Sequence, residues 1–207
     1  MSSFAPKVYS LLNQTGFGVV PRRQLGLAIG DVAGHGLDAV SDMATARYSL
    51  RALALDEPQP DKVMAQLNHV VQTFEPGTLV TALYGVLDPH ARTWIYTSAG
   101  HLPAILRSGD GTVVLLDEKG GAPLGVGGPY RAVHVDLDEG ATVLLYTDGL
   151  IERRGEDLSI GLGRLAAACD AAPDDPEGMC DHVLDVLLPD NPGEDDIALL
   201  AVQLDPC

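Results

Sequence analysis

Apolar positions recur along the chain with two periodicities, one typical of helices and one typical of strands. The run LGLAIG at residues 25–30 predicts a buried strand. From residue 37 the apolar spacing fits a helix that ends before DEPQP. A second helix follows, with Asp61 as its predicted cap and an apolar stripe that ends at Phe74. Residues 1–24 are weakly patterned, and they predict at most one short strand and a turn.

The middle of the chain has the pattern of antiparallel strands. TLVTALYGVLD and TWIYTSAG predict a hairpin around PHAR, and PAILRS and TVVLLD predict a second hairpin around GDG. After a glycine-rich stretch, YRAVHVDL and ATVLLYTDG indicate two more strands separated by DEG. Helical spacing returns at about residues 161–170 and 177–188, and IALLAVQL indicates the last strand.

The order of these elements determines the predicted fold class. Hairpins do not fit a parallel sheet with crossover helices, whereas helices on the outer faces of antiparallel sheets fit an α+β sandwich. We therefore predict two antiparallel sheets packed as a sandwich and flanked by helix pairs, with the first and last strands paired in one core. Because the 207 residues contain no repeat, low-complexity run or linker, we predict one domain over residues 1–207.

The charge balance excludes several classes of partner. Acidic residues number 29 against 13 lysines and arginines, so the formal net charge is −16. The few basic residues form no stripe, and we therefore expect neither nucleic acid nor a membrane as a partner. Such acidity either serves solubility or attracts divalent cations, and the positions of the acids must decide between the two.

The cysteines indicate a reducing compartment. Cys169, Cys180 and Cys207 are odd in number and have no CxxC spacing, and the sequence shows no signal peptide and no apolar run of membrane-spanning length. We expect a cytoplasmic protein in which Cys169 and Cys180 are packing residues and Cys207 is exposed.

Acidic residues stand at the predicted ends of three buried strands. Asp31 follows LGLAIG, Asp148 follows ATVLLYT, and Asp195 with Asp196 precedes IALLAV. Carboxylates that converge at the edge of an apolar core repel one another and are costly to desolvate, so a divalent cation is their natural partner. Oxygen ligands without Cys or His spacing favour Mg²⁺ or Mn²⁺. Each Asp alone also suits a turn or a helix cap, so the metal hypothesis depends on their convergence.

Six motifs occur in an order that resembles a known family. They are GDVAGHG, TALYGVLDP, SAGHLPAIL, GAPLGV, LLYTDGLIERRGED and DDIALLAV. In this order, from about residue 25 to residue 204, the chain resembles bacterial PPM-type serine/threonine phosphatases of the SpoIIE-like branch, which control sigma-factor regulators. The resemblance implies a β-sandwich flanked by helix pairs, in agreement with the order of elements.

The resemblance also implies a chemistry and a set of ligands. Water activated by metal would attack the phosphorus of phosphoserine or phosphothreonine without a covalent enzyme intermediate. The substrate would be a small regulatory protein of the anti-sigma-factor antagonist type. By motif position, Asp31 would bridge two metal ions together with the backbone carbonyl of Val32, and Asp148 and Asp195 would complete the ligands of one ion.

The stretch QTGFGVV departs from the family pattern. Members of the branch have a GGDWYD-like strand whose first acid binds the second metal, and Thr15 or Gly16 takes that position here. No acid precedes Asp31. Either a nearby acid such as Asp38 or Asp42 substitutes, or the second metal binds weakly, or the chain is a degenerate phosphatase-like domain that binds and regulates its partner.

Two histidines and two arginines are weaker candidates for the site. His35 lies between two glycines. It either has a role in substrate contact or proton transfer, or makes a structural hydrogen bond. We expect His101, in SAGHLP, to be structural. Arg153 and Arg154 follow Asp148 closely, and they either pair with a substrate phosphate or form a solvated turn.

Two further expectations concern mobility and control. The glycine-rich GGAPLGVGG is expected to be a mobile loop, because neither a helix pattern nor Lys-Ser/Thr follows it as in a phosphate-binding loop. Because the sequence shows no sensor segment, we expect control by homodimerisation, by a separate protein or by expression level.

Overall fold

The computed structural model describes most of the chain, and its elements follow the order that the sequence predicts. The described residues are 7–11, 15–20, 24–34, 36–57, 59–118, 120–188 and 197–204, with the backbone alone in the first two ranges and at residue 38. Within these ranges the chain forms ten strands, four α-helices and one short 3-10 helix.

The elements have the following bounds. In chain order they are β1 Lys7–Leu11, β2 Thr15–Val20, β3 Gln24–Val32, α1 Leu37–Asp56, α2 Pro60–Phe74, β4 Val80–Asp88, β5 Thr93–Ala99, β6 Ala104–Arg107, β7 Val113–Leu116, β8 Val133–Asp136, β9 Thr142–Tyr146, the 3-10 helix Asp148–Leu150, α3 Leu158–Ala171, α4 Pro176–Leu187 and β10 Leu199–Gln203.

The chain divides into two compact units, each with one five-stranded sheet. Sheet A has the strand order β1-β10-β9-β6-β7 and shares its unit with α3 and α4. Sheet B has the order β2-β3-β4-β5-β8 and shares its unit with α1 and α2. The strand pairs described in both sheets are antiparallel, and β1 pairs with β10 as predicted for the first and last strands.

Sheet A packs one face against α3 and α4. The buried side chains of this core include Ile105, Leu144, Tyr146, Leu165, Cys169, Met179, Cys180, Val183, Leu199 and Ala201. Burial raises the pKa of both Cys169 and Cys180 to about 12, so both thiols stay protonated near neutral pH and are poor nucleophiles. Their predicted role in packing is confirmed, and Cys207 lies outside the described residues.

Sheet B packs one face mainly against α2. The core of this unit contains Val63, Met64, Leu67 and Val71 of α2 and Ala28, Val32, Val80, Tyr84 and Val86 of the strands. Most of the predicted stripe of α2 is therefore buried, whereas Phe74 at its end is 69% exposed. The first turn of α2 differs from the prediction, because Gln59 is the cap residue and Pro60 opens the helix. Asp61 lies inside the first turn, where its charge suits the positive end of the helix dipole.

Helix α1 buries its small residues and exposes several large ones. Ala46 and Ala54 are buried, whereas Leu37, Val40, Tyr48 and Leu55 are all more than 60% exposed. The predicted helix is confirmed, but its apolar spacing does not mark a fully buried stripe.

Two features of the strands differ from the sequence prediction. Residues 1–24 contain two strands, β1 and β2, where at most one was predicted. Strand β1 pairs with β10 at the other end of the chain, and such long-range pairing leaves no local signal. Strand β2 lies next to β3 in both sequence and sheet, but two glycines among its six residues weaken its strand pattern. Similarly, β8 and β9 are neighbours in sequence but belong to different sheets, since β8 pairs with β5 and β9 with β10.

These observations confirm the predicted α+β class, with two antiparallel sheets and a helix pair in the unit of each. The single domain over residues 1–207 stays a prediction. In the part of the chain that the structure describes, no helix combines the length and the apolar character needed to cross a bilayer.

Close packing at Gly85 in β4 gives a testable prediction. A Cβ atom at this position would lie 2.3 Å from Nε1 of Trp94, and the rings of Trp94 and Tyr96 stack with centroids 4.4 Å apart. Gly85→Ala must displace the buried indole, so we expect the free energy of unfolding to fall by about 1–3 kcal/mol in urea titrations.

Gly163 in α3 provides the matched control. A Cβ atom there would meet nothing within 4 Å, and alanine favours the helix over glycine by about 1 kcal/mol. Gly163→Ala should therefore raise the free energy of unfolding. Equal effects of the two substitutions would contradict the packing described at Gly85.

Candidate active site

Asp31 lies where one face of sheet B changes from apolar to polar. Side chains alternate along a strand, so Ile29 and Asp31 share a face of β3. The register places Thr81 opposite Asp31, Leu83 opposite Ile29, and Ser98 opposite Leu83. Ile29 and Leu83 are buried, whereas the carboxylate-bearing Asp31 is half-buried at the strand end. The polar groups of this face are thus gathered at one end of the sheet.

The backbone carbonyl of Val32 points away from β4. Ala33 N–H donates to the carbonyl of Leu79 at 2.9 Å, and Val32 lies opposite Val80. Hydrogen-bonded and non-bonded pairs alternate in an antiparallel ladder, so Val32 and Val80 do not bond each other. Val80 instead exchanges both of its backbone hydrogen bonds with Leu124, at 3.1 and 2.8 Å. The carbonyl of Val32 is therefore not used by its neighbour in β4.

The segment after β3 has open space at its two glycines. Gly34 and Gly36 have φ values of 121° and 90°, which L-residues rarely adopt, and a Cβ atom on either would meet nothing within 4 Å. His35 between them lies outside the described residues, so its role stays a prediction. Gly34 and Gly36 thus leave open space directly beyond the strand that carries Asp31.

Of the two acids considered as substitutes for the missing ligand, one is already engaged. Asp42 Oδ2 in α1 accepts a hydrogen bond of 2.7 Å from Thr78 Oγ1, in the segment between α2 and β4. The side chain of Asp38 lies outside the description.

His101 takes part in a polar cluster at the same end of sheet B. Its Nδ1 lies 3.1 Å from Thr81 Oγ1, and its backbone N–H donates to Ser98 Oγ at 3.1 Å. This agrees with the expected structural role of His101. Sequence reasoning missed Thr81 and Ser98, because a threonine and a serine in strands carry no signal until the register is known.

Asp148 lies at the end of β9, in the unit of sheet A. The preceding Thr147 is fully buried, its Oγ1 accepts from Ala198 N–H at 2.8 Å, and its N–H donates to the Ala198 carbonyl at 3.1 Å. Asp148 then opens the 3-10 helix, and its Oδ1 accepts from Gly149 N–H at 2.9 Å. The half-buried carboxylate is thereby held in one orientation at the strand end.

Asp195 and Asp196 lie outside the described residues. The pairing of Leu199 with Tyr146 brings β10 alongside the Asp148 end of β9. Asp195 precedes Ala198 by three residues in sequence. Its predicted part in metal binding therefore stays a prediction.

The donor atoms of these residues fit a hard divalent cation. They are the half-buried carboxylates of Asp31 and Asp148 and the carbonyl of Val32, all oxygens, which Mg²⁺ and Mn²⁺ prefer. Among the residues described, which omit Asp195, no three His, Cys, Asp or Glu side chains form a group able to hold a metal. Asp31 and Val32 belong to the unit of sheet B and Asp148 to that of sheet A, and their convergence stays a prediction.

Arg153 contacts a helix end. Its Nη2 donates to the carbonyl of Leu187, the last residue of α4, at 3.0 Å. A cation suits this end of the helix dipole, so the contact provides a structural reason for the arginine. Arg154 is exposed, and the contact of either arginine with a substrate phosphate stays a prediction.

The glycine-rich loop is attached to the unit of sheet B. Besides the pairing of Leu124 with Val80, Asn68 Oδ1 in α2 accepts from Gly125 N–H at 3.0 Å, and Gln72 Nε2 donates to the Gly125 carbonyl at 3.3 Å. The mobility expected from its glycines is thus restricted at Leu124 and Gly125.

Comparisons with known proteins agree on one family. The model of the family described as Stage II sporulation protein E (SpoIIE) matches residues 21–205. Phosphoserine phosphatase RsbU of Bacillus subtilis is 31% identical over 143 residues, which cover 67% of this chain and 42% of RsbU. The chain thus spans less than half the length of RsbU.

Solved structures agree with the fold. The RsbU and RsbW domains of a Mycobacterium tuberculosis protein match 99% of this chain and 61% of that one, with 26% identity and a TM-score of 0.87. The PP2C phosphatase domain and regulatory fragment of SpoIIE from Bacillus subtilis match 99% of this chain and 66% of that one, with 16% identity and a TM-score of 0.76. At this low identity, the second match concerns the fold alone.

The contact of Arg153 with α4 predicts an effect on stability. We expect Arg153→Ala to lower the free energy of unfolding by about 0.5–1 kcal/mol in urea titrations, because a charge-assisted hydrogen bond at an exposed helix end is lost. Arg131→Ala, at an exposed arginine of the other unit, is the control and should change it by less than about 0.5 kcal/mol. Unchanged stability in Arg153→Ala together with a raised KM for an aryl phosphate would assign Arg153 to the substrate instead.

Proposed function

The chain belongs to the Stage II sporulation protein E family, and from this premise we propose that it is a metal-dependent phosphatase acting on phosphoserine or phosphothreonine of a small regulatory protein. The observation that carries the proposal is that the family match over residues 21–205 includes Asp31 and Asp148, each half-buried at a strand end. Carboxylates in such positions are costly without a cation, which supports the metal-dependent chemistry.

Four oxygen ligands are proposed for one or two Mg²⁺ or Mn²⁺ ions. They are the carboxylates of Asp31, Asp148 and Asp195 and the carbonyl of Val32. A bound cation of this kind supplies Lewis-acid stabilisation of the phosphoryl oxygens and lowers the pKa of water. The chain's own contribution is to hold these oxygens rigidly, and the hydrogen bond from Gly149 N–H to Asp148 Oδ1 supports that role.

His35, Arg153 and Arg154 are proposed to act on the substrate side of the site. His35 follows Asp31 by four residues in sequence and would contact the substrate or move a proton. The guanidinium groups of Arg153 and Arg154 would bind phosphate oxygens, although Arg153 would have to exchange its hydrogen bond with Leu187 to do so.

The proposed substrate is a phosphorylated anti-sigma-factor antagonist. The similarity to RsbU, which is named a phosphoserine phosphatase, supports a phosphoserine substrate. The structural match to a protein with an RsbW domain beside its RsbU domain supports a place among such regulators. A cytoplasmic location, with the free thiols of Cys169 and Cys180, and control through a homodimer belong to the same proposal.

A second candidate is a degenerate, partner-binding domain with little or no turnover. The observation that favours it is the composition of β2, which neighbours β3 in sheet B and has the sequence TGFGVV. This strand contains no acid, so the proposed second cation lacks its only independent carboxylate. The first proposal is preferred because the ligands proposed for the other cation are all present in the sequence.

The first prediction of the proposal concerns Asp148. Hydrolysis of an aryl phosphate should require Mn²⁺ or Mg²⁺ and stop in excess EDTA. Asp148→Asn keeps an oxygen for Gly149 N–H but removes the ligand charge, so kcat/KM should fall by about a hundredfold or more while the fold is retained.

Asp110→Asn is the matched control, because this exposed carboxylate also accepts one backbone N–H, from Thr112 at 2.9 Å. Its activity should equal that of the unmodified chain. Activity that persists in EDTA would refute the metal mechanism, and full activity of Asp148→Asn would show that the site is elsewhere.

A further prediction concerns the acid missing from β2. Calorimetric titration with Mn²⁺ should show one stronger site and a weak or absent second one, and activity should keep rising after the first site is full. Thr15→Asp, or Gly16→Asp if the register differs by one, should strengthen the second site by about tenfold or more and raise the rate, because a carboxylate ligand is added.

Thr15→Asn separates charge from shape and should leave the second site weak. Two tight sites in the unmodified chain, with full activity at low metal, would mean that another residue already supplies the ligand.

A further inference from the structure

The hydroxyl of Thr81 lies between the backbone of Asp31 and the imidazole of His101. Thr81 Oγ1 is 3.5 Å from the Asp31 carbonyl oxygen and 3.1 Å from His101 Nδ1. A hydroxyl has one proton to donate and lone pairs to accept. Since a carbonyl only accepts, Thr81 donates to Asp31 and accepts from the Nδ1–H of His101. The three groups therefore form a hydrogen-bond chain with a single direction.

His101 is itself held at the end of β5. Its N–H donates to Ser98 Oγ at 3.1 Å, and Ser98 Oγ donates to the His101 carbonyl at 3.2 Å. Ser98 is buried, so this local turn has little access to competing water. The network thus connects the ends of β3, β4 and β5 in sheet B.

Because Val32 and Val80 form a non-bonded pair of the ladder, Asp31 and Thr81 form the neighbouring hydrogen-bonded pair, and the Thr81 hydroxyl adds a side-chain contact to it. The bond from Ala33 N–H to the Leu79 carbonyl is the last described contact between β3 and the β4 segment before the open turn at Gly34. At Gly30, a Cβ atom would lie 2.7 Å from the Thr81 carbonyl, so the two backbones approach closely just before Asp31. A small shift at Thr81 would therefore move the peptide that joins Asp31 to Val32.

We propose that Thr81 and His101 form a positioning pair that fixes the Asp31 carboxylate and the Val32 carbonyl for binding a divalent cation. Because the two oxygens belong to consecutive residues, one displaced peptide would misplace both. Neither Thr81 nor His101 touches the reacting atoms in this proposal. The inference rests on the proposed function, because it concerns the cation that Asp31 and Val32 are proposed to hold.

Three variants test the pair through Mn²⁺ affinity measured by calorimetry. Thr81→Val keeps the shape but removes the hydroxyl, and affinity should fall about 10- to 100-fold, as is usual when a group that orients a metal ligand is lost. Thr81→Ser keeps the hydroxyl and should remain within about threefold of the unmodified chain. Thr97→Val, in β5 of the same sheet, removes a buried hydroxyl that has no hydrogen-bond partner among the described residues, and should not change affinity.

A double-variant cycle tests whether the two residues act as a unit. If His101 acts through Thr81, combining Thr81→Val with His101→Leu should lower affinity little further than Thr81→Val alone. Fully additive losses, a loss in Thr81→Ser equal to that in Thr81→Val, or equal affinities in Thr81→Val and Thr97→Val would each overturn the pair.

Hydrogen exchange without metal separates this inference from the proposed function. The amide of Ala33 should exchange faster in Thr81→Val than in Thr97→Val, because the end of β3 loses its support. If the unmodified chain neither binds Mn²⁺ nor hydrolyses phosphate, the proposed function fails, while this exchange still decides whether the pair holds the strand end. Equal exchange in the two variants overturns the positioning role whatever the activity.

Discussion

The pairing of β3 with β4 is the constraint on which the Asp31 part of the candidate site depends. With Asp31 opposite Thr81, the carboxylate shares a face with buried Ile29 and ends an otherwise apolar row. A slip of one residue would turn Asp31 toward the core beneath α2 and would reverse the direction of the Val32 carbonyl. Gly30 helps to exclude such a slip. In a shifted register Ile29 or Asp31 would take its place opposite Ala82, where a Cβ atom lies 2.7 Å from the Thr81 carbonyl oxygen.

The pairing of β9 with β10 fixes the position of Asp148 in a similar way. Buried Thr147 closes the ladder with Ala198 through one side-chain and one backbone hydrogen bond, so the carboxylate that follows emerges at a fixed point. The 3-10 helix then orients it through Gly149. In both units the position of an acidic residue is therefore fixed by the residue before or opposite it in a ladder.

Much of the fold could be predicted because its elements have strong local patterns. The hairpin of β4 and β5 and the helices α2, α3 and α4 follow directly from periodicity and turn residues. One of the strands β1 and β2 was missed, because β1 pairs with β10 at the far end of the chain and the glycines of β2 weaken its pattern. The different sheets of β8 and β9 could not be foreseen, because their partners are set by contacts far apart in sequence. Motif positions likewise predict Asp31 and Asp148 as ligands but do not point to Thr81, which becomes a candidate only through its register with Asp31.

Strand β2 has no acid for the proposed second cation, so a neighbouring side chain would have to supply that ligand. Asp42 in α1 is one acid that could supply this ligand, and its Oδ2 accepts a 2.7 Å hydrogen bond from Thr78 Oγ1. The other oxygen and the second lone pair of Oδ2 can still bind a cation, so this hydrogen bond fixes the orientation of the Asp42 carboxylate without excluding it as a ligand. An acid in β2 would stand in the strand that borders β3 directly, whereas Asp42 is tied to the segment before β4. A substitute from α1 can serve only if the orientation fixed by Thr78 suits the cation, which favours an asymmetric pair of cation sites over two equal ones.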